Sequence, residues 1–72
     1  LMAGTINDFT AHIWRAILCE LMDLAAETMV TVENEREAEM IKKWALEEAR
    51  RVEMFENEND RFYDRWVCII TE

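Results

Sequence analysis

Between residues 6 and 29 the hydrophobic positions recur at helical spacing. Turned at about 100° per residue, Ile6, Phe9, Ile13, Ile17 and Leu24 fall on one side, and Trp14, Leu18, Leu21, Met22, Ala25 and Met29 extend it. Asp8, His12, Arg15, Asp23 and Glu27 lie opposite. The pattern predicts a first helix over about 8–30, started by Thr5 or Asn7 and preceded by a leader at 1–7. Its apolar arc exceeds half the circumference, whereas a helix with one neighbour needs a stripe of only about 100°. This helix therefore has two surfaces to satisfy.

A break follows at Val30–Asn34. Three β-branched residues within Met29-Val30-Thr31-Val32 disfavour helix, and Asn34 with Glu37 forms a helix-starting cap pair. Beyond it Ala38, Ile41, Ala45, Val52, Phe55, Phe62, Trp66 and Ile69 repeat near a heptad. That spacing predicts a second, longer helix over about 34–70, crossing the helix-poor Asn57–Asp60. Glu48 and Asn59 interrupt the seam and are expected as buried polar residues that set register or partner number.

The expected architecture is thus all-α: a hairpin of unequal helices, ~33 and ~55 Å long. Everything after Glu56 overhangs, carrying Phe62, Tyr63, Trp66, Ile69 and Ile70. Such an aromatic end needs cover. With Phe55 and Trp14 it forms the expected interface of a homodimer, in which two hairpins complete a coiled-coil-like bundle.

Composition supports this reading. The chain has no Pro and one Gly, Gly4, while β-rich folds draw on both for turns. At 72 residues, 51% of them hydrophobic, it makes one domain with a marginal core of its own and apolar surface to spare. Sixteen acidic residues against eight basic ones give a charge of −8. That balance argues against direct binding to nucleic acid or anionic lipid and permits a basic protein partner. No apolar run reaches the ~20 residues of a membrane span, and no signal peptide is apparent. Cys19 and Cys68 form no paired motif and read as free thiols of a reducing, cytoplasmic compartment. Leu1 in place of Met suggests processing.

Candidate chemistry is sparse. His12 is the only histidine and has no Cys or His at ligand spacing. Ser is absent, so no catalytic residue, metal or cofactor is assigned. Glu20-x-x-Asp23 and Glu53-x-x-Glu56 resemble the carboxylate pairs of all-α, Mg²⁺-dependent nucleotide hydrolases. On a helix, Glu53, Glu56, Asp60 and Asp64 would form one acidic strip. The leading expectation is a non-enzymatic interaction module, an inhibitor or adaptor docking a partner through that strip and the aromatic end. The rivals are a dimeric Mg²⁺-dependent nucleotide hydrolase and a purely structural assembly subunit. In size, acidity and expected helicity the chain resembles small accessory proteins, including those of viruses and mobile elements.

Overall fold

The computed structural model describes residues 2–58 and 65–72, with residues 2–4 as backbone. It overturns the all-α expectation. The order is β1 (Met2–Gly4), α1 (Ala11–Leu24), β2 (Glu27–Val32), α2 (Glu35–Glu47), β3 (Arg51–Glu56) and β4 (Trp66–Thr71). The strands form one sheet ordered β1-β2-β4-β3. β1 runs parallel to β2, while β4 is antiparallel to both β2 and β3.

The first expected helix, 8–30, is α1 plus β2. The second, 34–70, is α2 plus the β3–β4 pair. Neither a helical hairpin, a coiled coil nor a helical bundle is present, and the expected leader contains β1. Of the break expected at Val30–Asn34, only Glu33 and Asn34 lie between elements; Val30–Val32 belong to a strand. Thr28, Val30, Thr31 and Val32 suit a pleated surface, and Thr28, Val30 and Val32 alternate into the core. Val52 and Met54 alternate likewise on β3.

Both helices cover one face of the sheet. Trp14, Leu18 and Met22 of α1 and Ala38, Ile41, Trp44 and Ala45 of α2 pack on Val30, Val32, Cys68 and Ile70. Side-chain hydrogen bonds pin this layer. Asn7 closes the turn ahead of α1, its Oδ1 accepting the amides of Phe9 and Thr10 at 2.9 and 3.0 Å, while the N-cap of the helix is Thr10, which makes no side-chain cap bond. Asn34 caps α2, its Oδ1 accepting the Glu37 amide at 3.0 Å. The Glu37 carboxylate accepts from the Asn34 side-chain amide and from the backbone N–H of Ile6. Ile6 and Glu37 are both buried.

α2 ends in a Schellman turn. Arg50 N–H donates to Ala45 C=O and Ala49 N–H to Leu46 C=O, with Ala49 at φ 58°. The turn aims Arg50 at the carbonyl of Met22, 2.6 Å away. It thereby supplies a positive charge to the end of α1, which has no basic residue in its own last turn.

Two stability changes are expected in urea denaturation. Glu37→Ala strands the buried Ile6 amide and should lower stability by about 1–3 kcal/mol. Ala49→Gly relieves the left-handed strain and should raise it by roughly 0.5–1 kcal/mol.

Candidate interaction surface

The broad apolar arc of α1 divides in two. Its inner seam, Trp14, Leu18 and Met22, enters the core. Phe9, Ile13, Ile17 and Leu24 stay outside, with 92, 60, 41 and 84% of their surfaces exposed. At about 100° per residue this second stripe lies roughly a third of a turn from the seam. The opposite flank of α1 meets α2 through the Arg15–Glu47 ion pair of 2.7 Å. The stripe therefore runs along the side of α1 turned away from α2.

Charge borders the stripe on one sign only. Glu20 lies beside Ile13 on the helical wheel and one turn from both Ile17 and Leu24, Asp23 lies farther round on the same side, and Asp8 precedes Phe9; all three are exposed. The basic side chains tied to described partners point elsewhere: Arg15 to Glu47, Arg36 to the carbonyl of Ile6 and Arg50 to that of Met22. Four large apolar groups in one acid-bordered line form the clearest candidate surface on the molecule.

The face of the sheet away from the two helices is more mixed, with Val67 buried on it. The register aligns Met29, Ile69 and Glu53 in one row and Thr31, Val67 and Phe55 in the next. Met29 and Phe55 are exposed, while Ile69 is half-buried. Of the expected interface, only Phe55 and Ile69 lie on this face. Trp14 and Ile70 are core residues, and Trp66 is half-buried against the core from the helix side. Phe62 and Tyr63 lie outside the described residues.

The acidic strip does not form as expected. Glu53 and Glu56 are three apart on a strand, where they point to opposite faces; both are exposed. Asp60 and Asp64 lie outside the described residues, as does Asn59. Glu48 is the exposed C-cap of α2, not a buried seam residue, and its Oε1 accepts from the Cys19 thiol at 3.9 Å. The strand also separates Glu53 from Glu56 as a helical carboxylate pair. Among the described residues no three His, Cys, Asp or Glu side chains gather as a metal site. None of the described helices is long and apolar enough to cross a membrane.

The outer stripe was legible only as an excess of apolar arc. Nothing in the residue types separates Trp14 from Ile13; the sheet decides which of the two is buried.

Both cysteines are free. Cys68 is fully buried, its thiol donating to Ala38 C=O at 3.8 Å. Burial pushes its pKa up to about 11, and Glu39 adds to the rise. Cys19 is raised by burial and then by Glu48, with Arg15 opposing. A thiol reagent should label Cys19 in the native protein and reach Cys68 only as fast as the structure opens. The thiol form of Cys68 is favoured by folding, so its contribution is whole below the unfolded value of about 8.5. It is lost as pH rises from there to about 11, at up to ~1.4 kcal/mol per pH unit. Alkaline denaturation of Cys68→Ala should lack that component.

Comparison with models of protein families, with characterised proteins and with solved structures finds no match to this chain.

Proposed function

We propose that this chain is a non-enzymatic protein-docking module, an inhibitor or adaptor whose partner lays an amphipathic segment along the outer flank of α1. One observation carries the reading: Phe9, Ile13, Ile17 and Leu24 stand exposed in a single line. Contiguous exposed apolar surface is costly in water and characteristic of interaction sites. Its helical part, from Ile13 to Leu24, spans about 17 Å at helical rise, and Phe9 extends it from the turn ahead of α1. That length suits a helix-in-groove or helix-on-helix contact read through i, i+4 and i+7 anchors.

The border gives the partner its chemistry. Glu20, Asp23 and Asp8 flank the line, and the whole chain carries −8. A seam edged by Lys or Arg would be steered to this flank and held in register by it. The expectation of a basic partner is kept; the surface that receives it moves from a strip at residues 53–64 to α1.

Binding of two labelled amphipathic peptides, one apolar seam bordered by lysines and the same seam bordered by glutamates, tests this by fluorescence anisotropy. The lysine-bordered peptide should bind more tightly, and its advantage should shrink as salt rises. Ile13→Asp with Ile17→Asp should weaken that binding by roughly tenfold or more, equivalent to about 1.4 kcal/mol. Melting of the variant should stay close to wild type, because exposed substitutions usually shift stability by only about 0.5 kcal/mol. Equal binding of the two peptides, or full binding by the variant, would refute the proposal.

A further inference from the structure

β3 closes one side of the sheet, and no described strand pairs with its outer edge. The direction of its backbone groups follows from one bond. Asn57 N–H donates to Arg65 C=O, across the register that sets Glu56 opposite Trp66. Hydrogen-bonded pairs alternate along an antiparallel ladder. Arg51, Glu53 and Phe55 therefore turn their amides and carbonyls to β4, while Val52, Met54 and Glu56 turn theirs outward.

An open edge is a template for another strand, and proteins blunt it with Pro, Lys, a bulge or a covering element. β3 has neither Pro nor Lys, and its six-residue register with β4 is continuous. The other edge, β1, is only three residues long. What β3 does carry is a polarity of charge: Arg50 and Arg51 at its start, Glu53, Glu56 and Glu58 toward its end. An antiparallel copy of the same strand brings the basic start against the acidic end, whereas a generic acidic or basic strand meets repulsion at one end.

We propose that two copies of this chain pair antiparallel through β3, centred on Val52, so that Arg51 lies opposite the partner's Glu53 and Glu53 opposite the partner's Arg51. A two-fold axis normal to the sheet keeps each face on its own side, so only residues of like parity meet. Centres on Val52, Glu53, Met54 and Phe55 each pair three or more residues of the strand. Centring on Phe55 sets Glu53 opposite the partner's Asn57 and Met54 opposite the partner's Glu56, matching no opposite charges among the described residues. Centring on Glu53 sets it against the partner's Glu53 at the close spacing of a non-hydrogen-bonded pair, which is repulsive. Centring on Met54 sets Arg51 opposite the partner's Asn57 and Glu53 opposite the partner's Phe55, and its one charge match, Arg50 with the partner's Glu58, uses a residue that precedes β3 and is already held by the Met22 carbonyl, as does the Arg50–Glu56 match of the Glu53 centre. Centring on Val52 creates the Arg–Glu pair twice, on the face away from the helices. It also turns the outward amide of Val52 to the carbonyl of the partner's Val52, and that of Met54 to the carbonyl of the partner's Arg50. The two sheets join into one of eight strands. This surface is separate from the α1 flank, and the proposal stands independently of the docking function.

Charge reversal tests it, because Arg51 and Glu53 are exposed and their replacement leaves the core intact. In sedimentation equilibrium the wild-type chain should dimerise. Arg51→Glu and Glu53→Arg should each weaken the dimer by roughly tenfold or more, since each turns two opposed pairs from attraction to repulsion. The double variant restores both pairs in mirrored order and should return to within about threefold of wild type. Amide hydrogen exchange reads the register: Val52 and Met54 should gain protection with protein concentration, while Glu56, beyond the paired stretch, should not. A chain that stays monomeric at hundred-micromolar concentration overturns the proposal. So does a dimer indifferent to both single reversals, a double variant no better than the singles, or concentration-dependent protection at Glu56 equal to that at Val52.

Discussion

The carboxylate of Glu37 meeting the amide of Ile6 is the contact on which the arrangement of the two helices depends. Ile6 belongs to the connection between β1 and α1 and is wholly buried. A buried connection brings peptide groups away from water, and each unpaired one costs about as much as several good contacts gain. Here Trp14 Nε1 donates to the carbonyl of Thr5 at 3.1 Å, and Arg36 donates to that of Ile6 at 3.1 Å. Glu37 completes the set from the first turn of α2. Three side chains on two helices thus bind the segment that launches α1, and no buried side-chain polar atom among the described residues is left without a partner. Arg50 fastens the other end of α1 from beyond the end of α2. With both ends held, α1 has little freedom to roll. Its inner seam stays in the core, and its second apolar stripe stays outside.

The same residues show what could be read in advance. Asn34 and Glu37 announce a helix start because capping is local chemistry, set within one turn, whereas Asn7 closes only the turn before α1, whose N-cap is Thr10. The strands were hidden by a coincidence of spacing. Val52 and Phe55, or Trp66 and Ile69, are three apart, as on a helical seam, yet Val52 and Met54 also alternate as on a strand. Only the neighbours across the sheet choose between the periods. Scarcity of Gly and Pro misled for a physical reason as well. One left-handed position is taken by Ala49, held by the Schellman bonds around it, and the ladder beyond β3 closes through Asn57 and Arg65. A chain whose strands are mostly joined through helices has little need of tight hairpin turns.

The overhang inferred from helix lengths dissolves once residues 66–71 form a central strand. β2 and β3 flank that strand, and its Cys68 and Ile70 face the helices. Of the apolar residues that seemed to need a second chain, Ile70 joins the core of the first and Trp66 packs against it, while Phe62 and Tyr63 lie outside the described residues. The excess apolar arc of α1 is different, since none of the described elements takes it up. Residues 66–71 lie between two strands of the sheet, whereas the outer flank of α1 faces none of the described elements.

Charge assigns different occupants to the two open surfaces. Two α1 flanks brought face to face would set Glu20, Asp23 and Asp8 of each copy against the same acids of the other. On chains of −8 apiece, that repulsion opposes self-association through the very residues whose apolar character would otherwise drive it. The β3 edge works in the opposite sense, because its basic start and acidic end are complementary only when the second strand is antiparallel. On the two proposals, a copy of the chain is guided away from the stripe and toward the edge, and the stripe is left for a partner of opposite charge. In so small a fold, with helices on a single sheet face, placing like charge around one surface and mixed charge along the other keeps the two contacts from competing.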